Sequence, residues 1–287
     1  MTLPSLLPHF STVAPDYDVL LSDVWGVVHN GIVAFPAACD ALMRARARGA
    51  SVILITNAPR PSEAVMRQID KLHVPREAYD AIVSSGDVTR SVIRSRPGQT
   101  LFHMGPARDH SIFTGLDIKF TPLDSADYVV CSGLVQDETE TPEDYRPQLE
   151  LMLERKMFML CGNPDVVVER GHKLVYCAGA LADMYRTMGG EVLYAGKPYK
   201  PIYDMALAKA AEAAGKTAPL KRVLAIGDSV RTDLTGAHAA GIDFLFVTSG
   251  IHAEELGGRD EPDARMLGKI LTAAGDMPKA VMRHLVW

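Results

Sequence analysis

Strands and helices alternate near both ends of this chain, and this alternation limits the folds open to it more than any other feature. Short apolar runs are each followed by a stretch with helical spacing, a pattern typical of a parallel sheet with helical crossovers. The predicted strands cover residues 19–22, 51–56, 222–226 and 244–247, and the predicted helices cover 36–48, 62–72, 201–215 and 233–240. We therefore expect an α/β core assembled from both ends of the chain.

The middle of the chain has an alternation of its own. Strands are predicted over residues 101–104, 128–131 and 157–160, and helices over 142–154 and 178–188. This alternation of strands and helices indicates an α/β module inserted into the core. We place the insert at residues 85–190, between core segments 1–84 and 191–287.

Composition narrows the function classes. The 287 residues are 47% hydrophobic and 23% charged, with a formal net charge of -5 and no cationic block, which argues against a nucleic-acid or membrane-surface partner. No apolar run approaches the ~18 residues of a membrane span, and the N-terminal residues lack the features of a signal peptide. The cysteines show no metal-ligand spacing and are expected to be reduced, buried thiols; they are Cys39, Cys131, Cys161 and Cys177. We expect a cytoplasmic protein.

Three aspartates stand where two predicted core strands end. Asp23 closes the first strand and is followed by a glycine turn, while Asp228 and Asp233 lie five residues apart at a strand-to-helix turn. Ligands of open α/β sheets bind outside the carboxyl ends of the strands. Mg²⁺ prefers a few carboxylate oxygens and keeps several waters. The sequence therefore predicts a magnesium site that faces a phosphate.

Two further segments carry groups suited to a phosphate. Thr56 and Asn57 end the second predicted strand and offer a hydroxyl, an amide and backbone N–H groups. Lys197 lies between Gly196 and Pro198 just before a predicted helix, and its ammonium could neutralise a carboxylate nucleophile together with a phosphate. We expect all three side chains at the same site.

These segments, in this order, resemble the four motifs of the haloacid dehalogenase (HAD) superfamily. The insert between the second and third motifs is similar to class IIA, the NagD-like and nitrophenylphosphatase-like group. The matching positions are Asp23 with Gly26, Thr56-Asn57, residues 196–198 and residues 227–237, and further matches are Asn30-Gly31, Ser84-Ser85, Asn163-Pro164-Asp165 and Gly179-Ala180.

The resemblance implies a Rossmann-like HAD core with an inserted α/β cap that selects the substrate, a small phosphorylated metabolite. It implies a Mg²⁺-dependent phosphatase with a phosphoaspartyl intermediate at Asp23, and pairing of two chains through the cap. The implied metal ligands are Asp23, the backbone carbonyl of Trp25, Asp228 and Asp233. The implied phosphoryl-binding residues are Thr56, Asn57 and Lys197. The implied specificity residues lie in a cap loop and are Asp165, Glu169, Arg170 and His172.

Trp25 is the one departure from this pattern. Relatives that hydrolyse phosphate esters have an aspartate there, which protonates the leaving group and then activates water. An indole N–H cannot act as an acid near neutral pH, and loss of a general acid typically costs ~10²–10⁴ in rate. Another group could replace it, and His29, four residues further on, is the candidate.

Three other interpretations of Trp25 stay open. The enzyme could be restricted to esters whose leaving groups need little protonation, such as aryl or acyl phosphates. The protein could bind Mg²⁺ and a phosphorylated metabolite without catalysis. It could also act on a non-phosphate substrate, because dehalogenases of the superfamily carry an aromatic residue, tyrosine, at this position.

Overall fold

The computed structural model describes residue 4 and residues 6–170, 173–258 and 261–287, with the backbone alone for Glu169 and Arg170. The described strands are β1 (Val19–Asp23), β2 (Ser51–Thr56), β3 (Ala81–Ser84), β4 (Thr100–Met104), β5 (Lys119–Phe120), β6 (Tyr128–Cys131), β7 (Phe158–Cys161), β8 (Val167–Arg170), β9 (Lys173–Tyr176), β10 (Glu191–Tyr194), β11 (Val223–Gly227), β12 (Asp243–Val247) and β13 (Ala280–Met282). The described α-helices are α1 (Pro36–Ala47), α2 (Ser62–Lys71), α3 (Ser85–Arg94), α4 (Arg146–Glu154), α5 (Ala178–Thr187), α6 (Lys200–Ala214), α7 (Thr235–Ala239) and α8 (Ala264–Ala274).

The chain divides into two compact units. The first comprises Met1–Thr56, Met66–Val83 and Lys197–Trp287, and the second comprises Asn57–Val65 and Ser84–Gly196. Each unit contains its own sheet. None of the described helices has both the length and the apolar character needed to cross a membrane.

The sheet of the first unit has the order β13-β12-β11-β1-β2-β3. The pairs β1–β2, β1–β11, β11–β12 and β12–β13 are parallel. Counted along the chain this is the doubly wound order 3-2-1-4-5-6, whose direction reverses between β1 and β11. The predicted Rossmann-like parallel core is confirmed, and the reversal marks the place where such sheets bind ligands.

The central strands are apolar because both faces of the sheet are covered. Every residue of β1 and β11 is buried, and so are the first five residues of β2. Near-continuous runs of Val, Ile and Leu are typical of such strands. Helix α1 begins with Pro36 in its first turn, and Gly49 follows its end with a φ of 98°, a backbone conformation that favours glycine.

The sheet of the second unit has the order β10-β7-β6-β4-β5, and its four pairs are parallel. Strands β8 and β9 form a separate antiparallel hairpin. Helix α3 begins at a reciprocal capping box in which the side chains of Ser84 and Asp87 each accept a hydrogen bond from the other residue's backbone N–H. This unit is an α/β module, as predicted for the middle of the chain.

One difference from the predicted elements lies in residues 227–240, where a helix was expected from Asp233 onward. Val230–Leu234 instead forms one π-helical turn, and α7 continues directly from it. Single π-turns are rare and recur at functional sites. The strands β3, β10 and β13 and the helix α8 were not among the predicted elements.

Candidate active site

Asp23 and Asp228 lie side by side because β1 and β11 are parallel neighbours in register. Ser22 pairs with Ile226, so Asp23 at the end of β1 lies level with Gly227 at the end of β11, and Asp228 follows at once. The carboxyl ends of both strands therefore deliver a carboxylate to the point where the strand order reverses.

The π-turn after β11 positions the third carboxylate. Ser229 precedes the turn, and its hydroxyl accepts a hydrogen bond from the backbone N–H of Thr232. The backbone N–H of Ser229 in turn donates to Oδ2 of Asp233 at 3.1 Å. This local capping points the Asp233 side chain back toward the strand end instead of out along the helix.

Asp23, Asp228 and Asp233 form one buried cluster. A carboxylate oxygen from each can be chosen so that all three lie within 4.8 Å of one another. The three residues are 8%, 5% and 2% exposed. The predicted convergence of the three aspartates is therefore present in the structure, and hard oxygen donors in this number suit a small divalent cation.

Lys197 reaches into the same cluster. Its Nζ lies 2.7 Å from Oδ1 of Asp23 and 2.6 Å from Oδ1 of Asp233, and the residue is 2% exposed. Burial alone lowers the pKa of an ammonium, but the carboxylates of Asp23 and Asp233 outweigh that effect and raise the pKa of Lys197. The ammonium therefore stays charged at neutral pH.

Charge is not balanced in this cluster. Burial, followed by the charges of Asp23 and Asp233, raises the pKa of Asp228 well above its ordinary value. Burial also raises the pKa of Asp233 to about 6, against the opposing effect of Lys197. Three buried carboxylates thus face one ammonium, and their mutual repulsion contributes to the raised pKa values. A divalent cation would offset this repulsion between the carboxylates.

Two glycines form the walls around Asp228. A β-carbon added to Gly26 would lie 2.0 Å from Oδ2 of Asp228, and one added to Gly250 would lie 1.9 Å from the same atom. The backbone N–H of Ile251 donates to Oδ2 of Asp228 at 2.8 Å. Residues 250 and 251 were not predicted from the sequence, although they follow β12, the strand next to β11, and that adjacency could have identified them.

Tyr203 of α6 is a second residue that sequence reasoning missed. Its hydroxyl donates to the backbone carbonyl of Asp233 at 3.5 Å, and its side chain lies against Gly236. Burial, followed by the charge of Asp233, raises the pKa of Tyr203. A tyrosine in an otherwise alanine-rich predicted helix was the available signal.

Trp25 follows Asp23 by two residues and is 50% exposed. Its backbone pairs with that of His29, and the two rings meet edge to face with centroids 5.2 Å apart. A β-carbon on Gly31 would lie 2.2 Å from the indole, so the ring packs directly against that backbone. The indole is therefore held in place on one side and open to solvent on the other.

His29 is buried behind this indole and is 2% exposed. Its Nδ1 accepts a hydrogen bond from the backbone N–H of Gly31 at 2.9 Å, and burial lowers its pKa to about 4. The imidazole is therefore neutral near pH 7, and this protonation state weighs against the proton-donor role expected from the sequence. That role stays a prediction.

Thr56 ends β2, one residue beyond Ile55, which pairs with Asp23. The parallel register thus brings Thr56 to the same edge of the sheet as the cluster. Its expected role in binding a phosphoryl group stays a prediction, as does that of Lys197.

Asn57 belongs to the second unit, where its amide Nδ2 donates to Oδ1 of Asp165 at 2.9 Å. Asp165 lies in a tight segment, because its backbone N–H donates to Oδ1 of Asn163 and its carbonyl accepts from Gly179. A β-carbon on Gly179 would lie 2.2 Å from the carbonyl oxygen of Pro164. The segment that resembles the cap loop is thus fixed by backbone contacts.

Glu169 and Arg170 were expected in a loop, but the structure places them in β8, where they pair with Leu174 and Lys173. His172 lies outside the described residues. Their roles in specificity stay predictions.

Comparison with known proteins shows the family to which this chain belongs. A family model for haloacid dehalogenase-like hydrolases matches residues 20–119, and a HAD-hydrolase-like model matches residues 194–273. The crystal structure of a haloacid dehalogenase-like hydrolase from Brucella suis 1330 is 43% identical, with a TM-score of 0.86 over 98% of this chain and 100% of that one. The chain belongs to the haloacid dehalogenase-like hydrolase family.

More distant relatives agree with the NagD-like resemblance. The ribonucleotide monophosphatase NagD of Escherichia coli K12 is 24% identical over 239 residues, which are 81% of this chain and 88% of that protein. The crystal structure of a glycerol phosphate phosphatase from Mycobacterium tuberculosis, in complex with calcium, has a TM-score of 0.64. It is 23% identical and covers 83% of this chain and 68% of that one.

Proposed function

We propose that this chain is a Mg²⁺-dependent phosphatase that acts on a small phosphorylated metabolite through a phosphoaspartyl intermediate at Asp23. The observation that carries the proposal is the buried cluster of Asp23, Asp228 and Asp233 around the ammonium of Lys197, at the reversal point of a doubly wound sheet. Family membership and the phosphatase relatives support it.

Mg²⁺ fits the donor set. Asp23, Asp228 and the backbone carbonyl of Trp25 would hold the ion, with Asp233 in support, since both oxygens of Asp233 already accept hydrogen bonds from Lys197 and Ser229. When bound, the ion would neutralise negative charge that develops on the phosphoryl oxygens. A calcium complex of one relative supports a divalent cation at such a site.

Asp23 is the proposed nucleophile because its carboxylate is held in one orientation. Oδ1 accepts hydrogen bonds from the backbone N–H of Val24 at 2.7 Å and from Lys197. Its attack on phosphorus forms the aspartyl phosphate and breaks the bond to the leaving oxygen, which keeps the electron pair. Water then attacks phosphorus, the aspartate is released, and one difficult displacement becomes two easier ones.

Lys197 has two proposed roles in this scheme. Its ammonium pairs with the carboxylate of Asp23, and it supplies positive charge next to the transferred phosphoryl group. Thr56 and Asn57 are the other proposed phosphoryl-binding residues. We propose that residues 85–190 form a substrate-selecting cap on the core of residues 1–84 and 191–287, with Asp165, Glu169, Arg170 and His172 as specificity positions.

Trp25 favours a second candidate function, a protein that binds Mg²⁺ and a phosphorylated metabolite with little or no hydrolysis. The described residues between Val24 and Phe35 contain no carboxyl group that could serve as the general acid. In this case phosphate binding persists while turnover is lost. Hydrolysis of a non-phosphate substrate is a third and weaker alternative.

One assay separates these functions. The full chain is incubated with Mg²⁺ and either phenyl phosphate or an alkyl phosphate, and released phosphate is measured. Turnover that Asp23→Asn abolishes and Asp40→Asn preserves supports the phosphatase. Asp40 is a partly exposed carboxylate that pairs with Arg44 one helical turn away. Tight phosphate binding without turnover of either ester supports the binding protein instead.

The remaining proposals concern the cellular compartment, the oligomeric state and the binding partners of the protein. The four cysteines are buried thiols, which supports a reducing compartment, and we propose the cytoplasm. We also propose that the protein forms a homodimer through the cap and that it has neither a nucleic-acid nor a membrane partner.

A further inference from the structure

The side-chain amide of Asn57 is enclosed on both sides within the second unit. Its Nδ2 donates to Oδ1 of Asp165 at 2.9 Å. On the other side, a β-carbon added to Gly196 would lie 2.3 Å from Oδ1 of Asn57, so the amide oxygen packs directly against that glycine. Asn57 is 6% exposed, and all three residues belong to the second unit.

The carboxylate of Asp165 determines which way this amide faces. A carboxylate only accepts hydrogen bonds, whereas an amide has a donor end and an acceptor end. If the amide were turned over, its oxygen would face an oxygen of Asp165, and repulsion between two acceptors would replace the hydrogen bond. Asp165 therefore selects one of the two orientations that the Asn57 amide can take.

Asp165 can hold another side chain because its own backbone is fixed. Its N–H donates to Oδ1 of Asn163 at 3.1 Å, and its carbonyl accepts from the N–H of Gly179 at 3.0 Å. The next carbonyl, that of Val166, accepts from the N–H of Cys177 at 2.9 Å. A side chain on a segment that is tied in this way orients a neighbour more precisely than one on a loose loop.

Further contacts close around the same point. The hydroxyl of Ser85, the first residue of α3, donates to the carbonyl of Gly162 at 2.7 Å. A β-carbon on Gly196 would also lie 2.8 Å from Cδ of Pro164 and 2.9 Å from Oγ of Ser85. Several segments of the second unit thus meet at Gly196, the residue that directly precedes Lys197 in the chain.

We infer that Asp165 is a positioning residue for phosphoryl binding and that it acts through Asn57, whose amide it holds in one orientation. The inference rests on the proposed phosphatase function, in which Asn57 binds the phosphoryl group, and deepens it. Asp165 is proposed above as a specificity position. The contact with Asn57 gives it a further role that is independent of the leaving group, because every substrate carries the same phosphoryl group.

Inorganic phosphate separates the two roles, since it has no leaving group for a specificity residue to select. The full chain is titrated with inorganic phosphate by calorimetry in the presence of Mg²⁺. Asp165→Ala should weaken binding by about tenfold, as expected when a group that orients a ligand is lost. Asn57→Ala should weaken it at least as much. The double variant should bind no more weakly than Asn57→Ala, because one residue acts through the other.

Two further variants exclude a merely structural effect. Asp165→Asn keeps an acceptor oxygen for Nδ2 of Asn57 and should bind phosphate within about threefold of the natural chain. Asp127→Ala is the matched control. The Asp127 carboxylate accepts hydrogen bonds from the backbone N–H and the hydroxyl of Thr100 at the amino end of β4, the opposite edge of the same sheet. This control should leave the phosphate affinity unchanged.

Thermal unfolding verifies that each variant is folded. If Asp165→Ala does not fold, Asp165→Glu replaces it with the same expectation, because the longer side chain moves the acceptor away from Nδ2 of Asn57.

Unchanged phosphate affinity in the folded Asp165 variant would overturn the inference and leave the proposed phosphoryl site intact. A further loss of affinity when Asp165→Ala is added to Asn57→Ala would overturn it as well, since Asp165 would then act independently of Asn57. If the natural chain with Mg²⁺ binds no inorganic phosphate, the proposed function itself fails, and the inference fails with it.

Discussion

Gly250 lies so close to Asp228 that a β-carbon on the glycine would sit 1.9 Å from the carboxylate oxygen Oδ2. Two strands thus contribute to one proposed metal-ligand position, since Asp228 follows β11 and Gly250 follows β12. The absence of a side chain at Gly250 leaves room for the Asp228 carboxylate, which accepts a hydrogen bond from the backbone N–H of Ile251.

The first prediction follows from this contact. Gly250→Ala should displace the Asp228 carboxylate and weaken Mg²⁺ binding by about 10- to 100-fold, the usual effect of disturbing a group that orients a ligand. Calorimetric titration with Mg²⁺ measures it. The neighbouring substitution Ser249→Ala should leave the affinity unchanged, and an unaltered affinity in Gly250→Ala would show that Asp228 does not hold the ion.

The second prediction concerns Lys197. Lys197→Met leaves the buried carboxylates of Asp23 and Asp233 without their cation and should lower the free energy of unfolding by about 3 kcal/mol in the absence of divalent ions. Added Mg²⁺ should stabilise this variant more than the natural chain, because the variant lacks the ammonium that partly neutralises the carboxylates.

Thermal unfolding with and without Mg²⁺ measures both effects. Lys200→Met is the control, since Lys200 lies three residues away and pairs with Asp204 at the surface. A variant at position 197 that gains no more stability from Mg²⁺ than this control would contradict the proposed sharing of charge.

The third prediction concerns the second chemical step. The group that normally protonates the leaving group also activates water, so Trp25 leaves hydrolysis of the aspartyl phosphate slow even when the leaving group is good. With an activated aryl phosphate we expect a burst of phenol equal to the concentration of active sites, followed by a slower steady rate.

Rapid-mixing absorbance measures the burst. Trp25→Asp should remove it and allow hydrolysis of alkyl phosphates, with a gain in rate on the order of 10²-fold. A linear time course in the natural chain, together with fast alkyl phosphate turnover, would mean that another group supplies the proton.

The fourth prediction is a pH dependence of stability. Burial lowers the pKa of His29 from 6.5 to about 4, so between these values the unfolded chain binds a proton at this residue that the folded chain does not. The contribution of His29 is therefore fully present above pH 6.5 and is lost as the pH falls toward 4. Its full size is about 3 kcal/mol.

Denaturant unfolding at a series of pH values measures this contribution. His29→Gln should make the decline in stability between pH 6.5 and 4 shallower. His9, whose ring bonds the terminal carbonyl at the surface, supplies the control substitution His9→Gln. Parallel pH profiles for the natural chain and His29→Gln would show that the imidazole is not buried in its neutral form.

The sequence predicted the strand ends that carry Asp23, Thr56 and Asp228 because long apolar runs and the glycine turns that follow them are local signals. It could not predict the π-turn at Val230–Leu234, which depends on hydrogen bonds from Ser229 and Asp233. Gly250 escaped notice because its importance comes from the pairing of β11 with β12, a contact that spacing along the chain does not contain.

In the second unit, local sequence patterns were likewise insufficient to predict the observed structure. Glu169 and Arg170 lie in a four-residue hairpin strand, too short for an alternating pattern to separate it from a loop. For His29, the sequence suggested a property that the structure does not support. Its sequence position suggested a titrating group near the nucleophile, while its pKa is set by tertiary burial behind Trp25.

The pairing of β1 with β11 has a consequence for biosynthesis. Val19 pairs with Val223, so β1 gains its second neighbour only after the whole second unit has been translated. Until then one edge of β1 offers unpaired backbone groups flanked by apolar side chains, an arrangement prone to joining other chains. Nascent chains halted before residue 223 should therefore be the species that most needs chaperones.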